Sequence, residues 1–275
     1  MNASVVGGAV ATAVAVATEQ GLRVADAVPV GTGSNVIVHL RPSPIVARVM
    51  SGTVVLHPDP HAWLTREIDV GAFLGERTAA VVAPTKEIDP GPYVRANLWM
   101  SFWEHVEVRN TPLEASEIGR ALRTLHDTLA EYRGPLPPRS AVLDEIDWLL
   151  NALSGDDGIS ELTAERDRLA EGILEHEHAA DQQPIHGDAS FSNLLATSSG
   201  PRWNDFEDVC VGTVEWDVAG VLSDARAAHG EAFSAEVLAA YGGECDQAAL
   251  ERVDQVHALY GVLWRRYRRR AAVGD

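Results

Sequence analysis

Asp188 stands five residues before Asn193, Asp205 follows twelve residues after that asparagine, and Glu207 lies two further on. Carboxylate and amide oxygens in this order suit one kind of chemistry. Hard oxygen donors hold a cation such as Mg²⁺, while a further carboxylate can orient an attacking hydroxyl and take its proton. Phosphoryl transfer needs both, because its transition state spreads negative charge over phosphate oxygens and asks for positioning and neutralisation. Any one of these residues, alone in a Gly/Ser-rich loop, more often shapes a turn or a cap. The ordered set reverses that weighting.

The wording around the set is IHGDASFSNLL, then WNDFEDVCVGTVEWDVA. The Asp188/Asn193/Asp205 spacing resembles that of protein kinases. His186-Gly187-Asp188 followed by Glu215, Asp217 and Ala219 resembles the aminoglycoside phosphotransferase and choline kinase superfamily. That resemblance implies a protein-kinase-like α+β fold of two lobes, a small antiparallel sheet followed by a larger helical part. It implies Asp188 as the catalytic base, Asn193 and Asp205 as metal ligands for Mg²⁺, and ATP or GTP as the donor. His186 would orient the loop without proton chemistry. Glu207 either does more than hold its loop or only holds it, and Asp217, ahead of the apolar run VAGVL, reads as a helix N-terminal residue or a brace.

The N-terminal half departs from the kinase pattern at one place. The chain has a single lysine, Lys86, in the Pro/Gly-rich stretch PTKEIDPGP, whereas kinases put a lysine on the third strand to hold phosphate. The segment 44–49, PIVARV, follows the strand pattern with Arg48 near the lysine position. Arginine can grip phosphate bidentately, so the role transfers. An arginine at the edge of a strand is the alternative for Arg48. Its expected partner is Glu67, which could equally pair with Arg66 or water, on a helix over Ala62–Leu74 whose Leu64, Ile68 and Phe73 or Leu74 recur near helical spacing. The turn Gly31–Asn35 joins strands Ala27–Val30 and Val36–Leu40, with Ser34 and Asn35 as candidates for hydrogen bonds to phosphate or as mere turn formers. Further strands are expected at Val81–Ala83 and Leu98–Val106. The second resembles the hinge that holds adenine, with Met100 near the purine and the Ser101 and Trp103 main chain as contacts; a core strand is the alternative.

Two lobes follow, 1–106 for the nucleotide and 107–275 for catalysis and substrate. A first helix over Val5–Ala17, ending at Gly21, opens the chain; the run is too short to span a bilayer and lacks the basic start of a signal peptide. The stretch Leu113–His126 is helical, with Ile118, Leu122 and Leu125 on one face and His126 as a packing residue. YRGPLPPR (132–139) connects it to two acidic helices, the loop, and helices from Asp217 onward. At 275 residues and 46% hydrophobic the chain can bury a sizeable core. Its two cysteines, Cys210 and Cys245, show no metal or disulfide spacing, which fits a reducing cytoplasm. The net charge of -18 argues against nucleic acid as a partner. Between Asp144 and Asp181 twelve Asp or Glu face two arginines. That field either concentrates a cationic hydroxyl acceptor, such as an amino sugar, or solvates outer helix faces. The basic run Trp264–Arg270 complements a helix end and the acidic surface, with contact to phosphate or a partner as the alternative. A nucleotide-binding pseudokinase working through protein partners is the alternative, motivated by the missing lysine and the reduced glycine-rich turn.

Overall fold

A computed structural model describes residues 3–33, 35–50, 59–179 and 182–273. The protein divides into two compact units: 1–113 with 132–134 and 194–208, and 114–131 with 135–193 and 209–275.

The first unit is built on an antiparallel sheet in the order β1-β2-β3-β5-β4. Its strands are β1 (Asp26–Thr32), β2 (Asn35–Arg41), β3 (Ile45–Met50), β4 (Tyr93–Arg95) and β5 (Leu98–Glu104). Side chains alternate across a strand, so one face collects Val36, Val38, Leu40, Ala47, Val49, Met100 and Phe102. Helix α1 (Ala3–Glu19) covers that face with Ala9, Ala13, Val16 and Ala17, a stripe at helical spacing. Helix α2 (Pro60–Gly75) starts with proline at its first position and the Asp59 carboxylate accepting from the Ala62 N–H at 3.1 Å. A two-stranded ladder, β7 (Leu194–Thr197) with β8 (Gly200–Trp203), completes the unit.

Two expectations change here. Val81–Ala83 forms no named strand; Val81 and Pro84 make single bridges to Trp203 and Trp103. The expected strand at Leu98–Val106 ends at Glu104, after which the His105 N–H donates to the Pro44 carbonyl.

The second unit is helical: α3 (Ala115–Leu129), α4 (Val142–Ala152), α5 (Ile159–Ala179), α6 (Val214–His229), α7 (Glu231–Tyr241) and α8 (Gln247–Val273). One ladder, β6 (Gln183–Ile185) with β9 (Cys210–Gly212), enters and leaves the loop that carries Asp188. Among the described residues no helix is long and apolar enough to cross a membrane. Neither Cys210 nor Cys245 is in a disulfide.

Candidate active site

The loop after β6 is fixed by a buried carboxylate. Asp217, in the first turn of α6, accepts from the His186 N–H at 2.7 Å and the Gly187 N–H at 2.9 Å. Its Oδ2 also meets His126 Nε2 at 2.9 Å, and His126 Nδ1 lies 2.9 Å from the Tyr241 hydroxyl. A carboxylate only accepts, so Nε2 donates to Asp217. Burial disfavours the charged form of Asp217, yet the His126 hydrogen bond and the His126 and His186 rings outweigh it and hold the carboxyl below its usual range. Tyr241 is pushed upward by burial, and so stays protonated.

Gly187, at φ 85°, has the left-handed backbone that favours glycine. Its carbonyl accepts from Trp216 Nε1 at 2.8 Å and Arg139 Nη1 at 3.2 Å. Held this way, the loop presents Asp188 to solvent. Asn193 is buried, and its Nδ2 donates to both the Asp188 carbonyl and Asp188 Oδ2, each at 2.9 Å. This arrangement joins the expected base to the expected metal-binding asparagine and fixes which end of the amide is the donor.

In the first unit Arg48 is the centre of an ion cluster. The β3 arginine, 5% exposed, donates from Nη1 to Glu67 Oε2 at 2.7 Å and from Nη2 to Asp205 Oδ1 at 2.6 Å; Nη2 also pairs with Glu207. Burial works against its charge, but Asp205, Glu67 and Asp208 outweigh that and raise its pKa further. Glu67 Oε1 has no hydrogen-bond partner among the described residues. Burial pushes the Glu67 carboxyl up to about 7, against the lowering effect of Arg48. Asp205 takes φ 67°, a conformation uncommon outside glycine that costs energy and recurs at functional sites. The Glu207 carbonyl accepts from Trp63 Nε1 at 2.6 Å and Arg66 Nη2 at 3.2 Å, which ties this short turn to α2.

The remaining expected contacts separate. Ser34 lies outside the described residues. Asn35 is the first residue of β2, buried opposite Met50. Met100, expected near the purine, pairs in register with Val49 and packs on the α1 face; Ser101 is the residue opposite Arg48. Strand alternation therefore turns the Met100 side chain away from the Arg48 face. Ser101 and Trp103 sit in the ladder opposite Arg48 and Val46, and Trp103 Nε1 donates to Ser101 Oγ at 2.8 Å. Between them the Phe102 N–H donates to Pro90 and its carbonyl accepts from Thr85, so the β5 main chain serves the fold. Sequence reasoning missed Tyr241, Trp216, Arg139 and Trp63, whose partners lie far along the chain and leave no local pattern.

The model of the phosphotransferase enzyme family matches residues 33–256. The chain belongs to that family. As such it is a small-molecule phosphotransferase with the kinase-like α+β fold. Among solved structures it is similar to an aminoglycoside phosphotransferase, APH(3'')-Id from Streptomyces rimosus, at 16% identity and TM-score 0.66, covering 90% of this chain and 97% of that one. Choline kinase LicA from Streptococcus pneumoniae follows at 13% identity and TM-score 0.70, with 95% and 92% covered. Amicoumacin kinase hAmiN, solved with AMP-PNP and Ca²⁺, gives 12% and 0.69, with 95% and 87% covered. No curated protein sequence matches.

Proposed function

We propose that this phosphotransferase moves the γ-phosphate of ATP, or of GTP, to a hydroxyl of a small molecule with Mg²⁺ as the ion. The observation that carries the reading is the Asp188–Asn193 hydrogen bond in a loop braced by Asp217. The related APH(3'')-Id has been solved with ADP and streptomycin, which supports a nucleotide donor. The first unit then serves the nucleotide and the second the acceptor.

Asp205 in the first unit and Asn193 in the second are each a hard oxygen donor of the kind Mg²⁺ takes, and each is proposed as a ligand. No group of three or more His, Cys, Asp or Glu among the described residues forms a metal cage; Mg²⁺ ordinarily takes one or two protein ligands and completes its shell with phosphate and water. When bound, the ion would neutralise charge on the phosphates. Asp188, exposed and oriented through Asn193, receives the acceptor hydroxyl and takes its proton as the oxygen bonds to phosphorus. The bond to the β–γ bridging oxygen breaks, and the nucleoside diphosphate leaves. Arg48 is proposed as the phosphate anchor, positioned by Glu67. Ser101 and Trp103 of β5 stay proposed as main-chain contacts of the nucleobase.

Asp188→Asn should cut transfer by about 10²–10⁴-fold while nucleotide affinity stays near wild type. Turnover equal to wild type would remove Asp188 from the mechanism. One observation favours a second reading, a nucleotide-binding pseudokinase: Arg48 is already engaged by three carboxylates. Nucleotide binding without transfer to any of a broad panel of hydroxyl acceptors would establish that reading instead.

A further inference from the structure

Helix α6 lays one stripe of its surface along the catalytic loop. Asp217, Gly220 and Asp224 stand at i, i+3 and i+7, spacings that share one face of a helix. Each meets the loop at its own point. Asp217 accepts from the His186 and Gly187 N–H groups. At Gly220 the two backbones run so close that a Cβ would lie 2.6 Å from the Ala189 carbonyl oxygen. Asp224 Oδ2 accepts from the Phe191 N–H at 2.7 Å. From Asp217 to Asp224 the helix rises about 10 Å, a span within reach of the chain from Gly187 to Phe191 at up to about 3.4 Å per residue.

Phe191 opens the short turn Phe191–Asn193. The first N–H groups of a helical turn have no partner within it, so the Asp224 carboxylate completes this one from outside with a charge-assisted bond. The far end of the same turn is Asn193. Its N–H closes onto the Ser190 carbonyl at 3.1 Å, and its Nδ2 donates to Asp188 Oδ2. Orientation therefore passes from Asp224 along one turn to the amide that steadies the base. Among the described residues the Asp224 side chain makes this one hydrogen bond and no ion pair.

We propose that Asp224 is a positioning residue of phosphoryl transfer: by holding the Phe191 N–H it sets the turn that carries Asn193, the donor to Asp188 and the proposed Mg²⁺ ligand. The proposal rests on the phosphoryl-transfer reading above. Helix α6 then grips the loop on both sides of the base, with Asp217 before it and Asp224 after it. A contact that merely fastened a loop would change stability and leave the response to Mg²⁺ alone. One that aims a metal ligand changes metal affinity or activity by about 10–100-fold when it is lost.

Calorimetry of the full chain with ATP, in excess EDTA and again in Mg²⁺, separates the two. In wild type Mg²⁺ should raise ATP affinity. Asp224→Ala should lose at least about tenfold of that gain while its affinity in EDTA stays at the wild-type value. Phosphate release from saturating Mg-ATP, with water in the place of the acceptor, should fall by a similar factor. Asp224→Asn keeps an oxygen that accepts from Phe191, so it should recover most of both. If the alanine variant does not fold, Asp224→Glu is read in its place; it keeps the carboxylate but lengthens the arm by one methylene, and should show a smaller loss of the same kind. A wild-type Mg²⁺ gain in whichever variant is read overturns the proposal. So does an asparagine variant as defective as the alanine one, which would trace the effect to charge and not to the hydrogen bond. Wild type that binds ATP no more tightly with Mg²⁺, or does not bind it at all, overturns the phosphoryl-transfer reading, and the positioning role with it.

Discussion

Arg48 is surrounded by more negative charge than a phosphate anchor requires. Glu67, Asp205 and Glu207 all pair with one guanidinium that is almost wholly buried. Truncating it leaves three carboxylates facing each other with no counterion, and removing one partner of a buried ion pair costs about 3–5 kcal/mol. Arg48→Ala should therefore lower stability by about that amount, read from urea denaturation; a variant as stable as wild type would show the cluster to be energetically idle. The nucleotide question belongs to Arg48→Lys, which keeps the charge but loses the fork. Its ATP affinity should fall while adenosine affinity stays unchanged, and equal affinities for both ligands in wild type and variant would end the anchor role. The Arg48–Glu67 pair was legible because a strand pattern and a helix pattern each pointed to one residue. The third and fourth members were less so, since which carboxylates converge on a guanidinium is decided by tertiary packing. Met100 was less legible for a simpler reason: strand alternation puts its side chain on the α1 face, opposite to Arg48.

Helices α3 and α7 approach so closely that only glycine fits between them. A Cβ on Gly119 would lie 2.3 Å from the Val237 carbonyl oxygen and 2.7 Å from the Tyr241 nitrogen. Both are backbone atoms, so a whole helix must shift, and such overpacking typically costs about 1–3 kcal/mol. The consequence reaches the site, because α3 carries His126 and α7 carries Tyr241, the two residues behind Asp217. Gly119→Ala should lower the unfolding free energy read from urea denaturation by an amount in that range and reduce transfer per folded molecule; an unchanged unfolding free energy would mean the helices part at no cost. Amphipathic spacing made α3 readable, from Ile118 through Leu122 to Leu125, and the same holds for α2. The ladders β6–β9 and β7–β8 were not readable, for three or four residues per strand are too few to show alternation. At Val81 the opposite happened: an apolar run looked like a strand, but its neighbours allow only isolated bridges.

At the scale of the whole chain, charge and burial set opposite demands on acid stability. A net charge of -18 at pH 7 repels itself, and acidification toward the pI of about 4.9 relieves that strain. At physiological ionic strength, however, the Debye length is about 8 Å and the relief is largely screened. His257 works the other way and is not screened by salt in its packed position against Trp216, with ring centres 4.7 Å apart. Burial first, and the charge of Arg139 second, lower its pKa to about 4. The unfolded chain, with an ordinary imidazole near 6.5, then binds more protons than the folded one between those values. Its contribution is present above 6.5 and is lost as pH falls toward 4. Glu67 has the reverse sign: its raised pKa makes the folded state gain relative stability as pH falls from about 7 to the usual carboxylate range. Wild type alone would therefore mix the two. Replacing the imidazole by a neutral amide removes one of them, so urea midpoints of wild type and His257→Gln at pH 7, 6 and 5 in 0.15 M salt isolate the histidine. The gap between the two curves should move in favour of the variant as pH drops, starting near 6.5. Curves that stay parallel across that window would show that His257 takes up its proton as easily in the folded protein as in the unfolded chain.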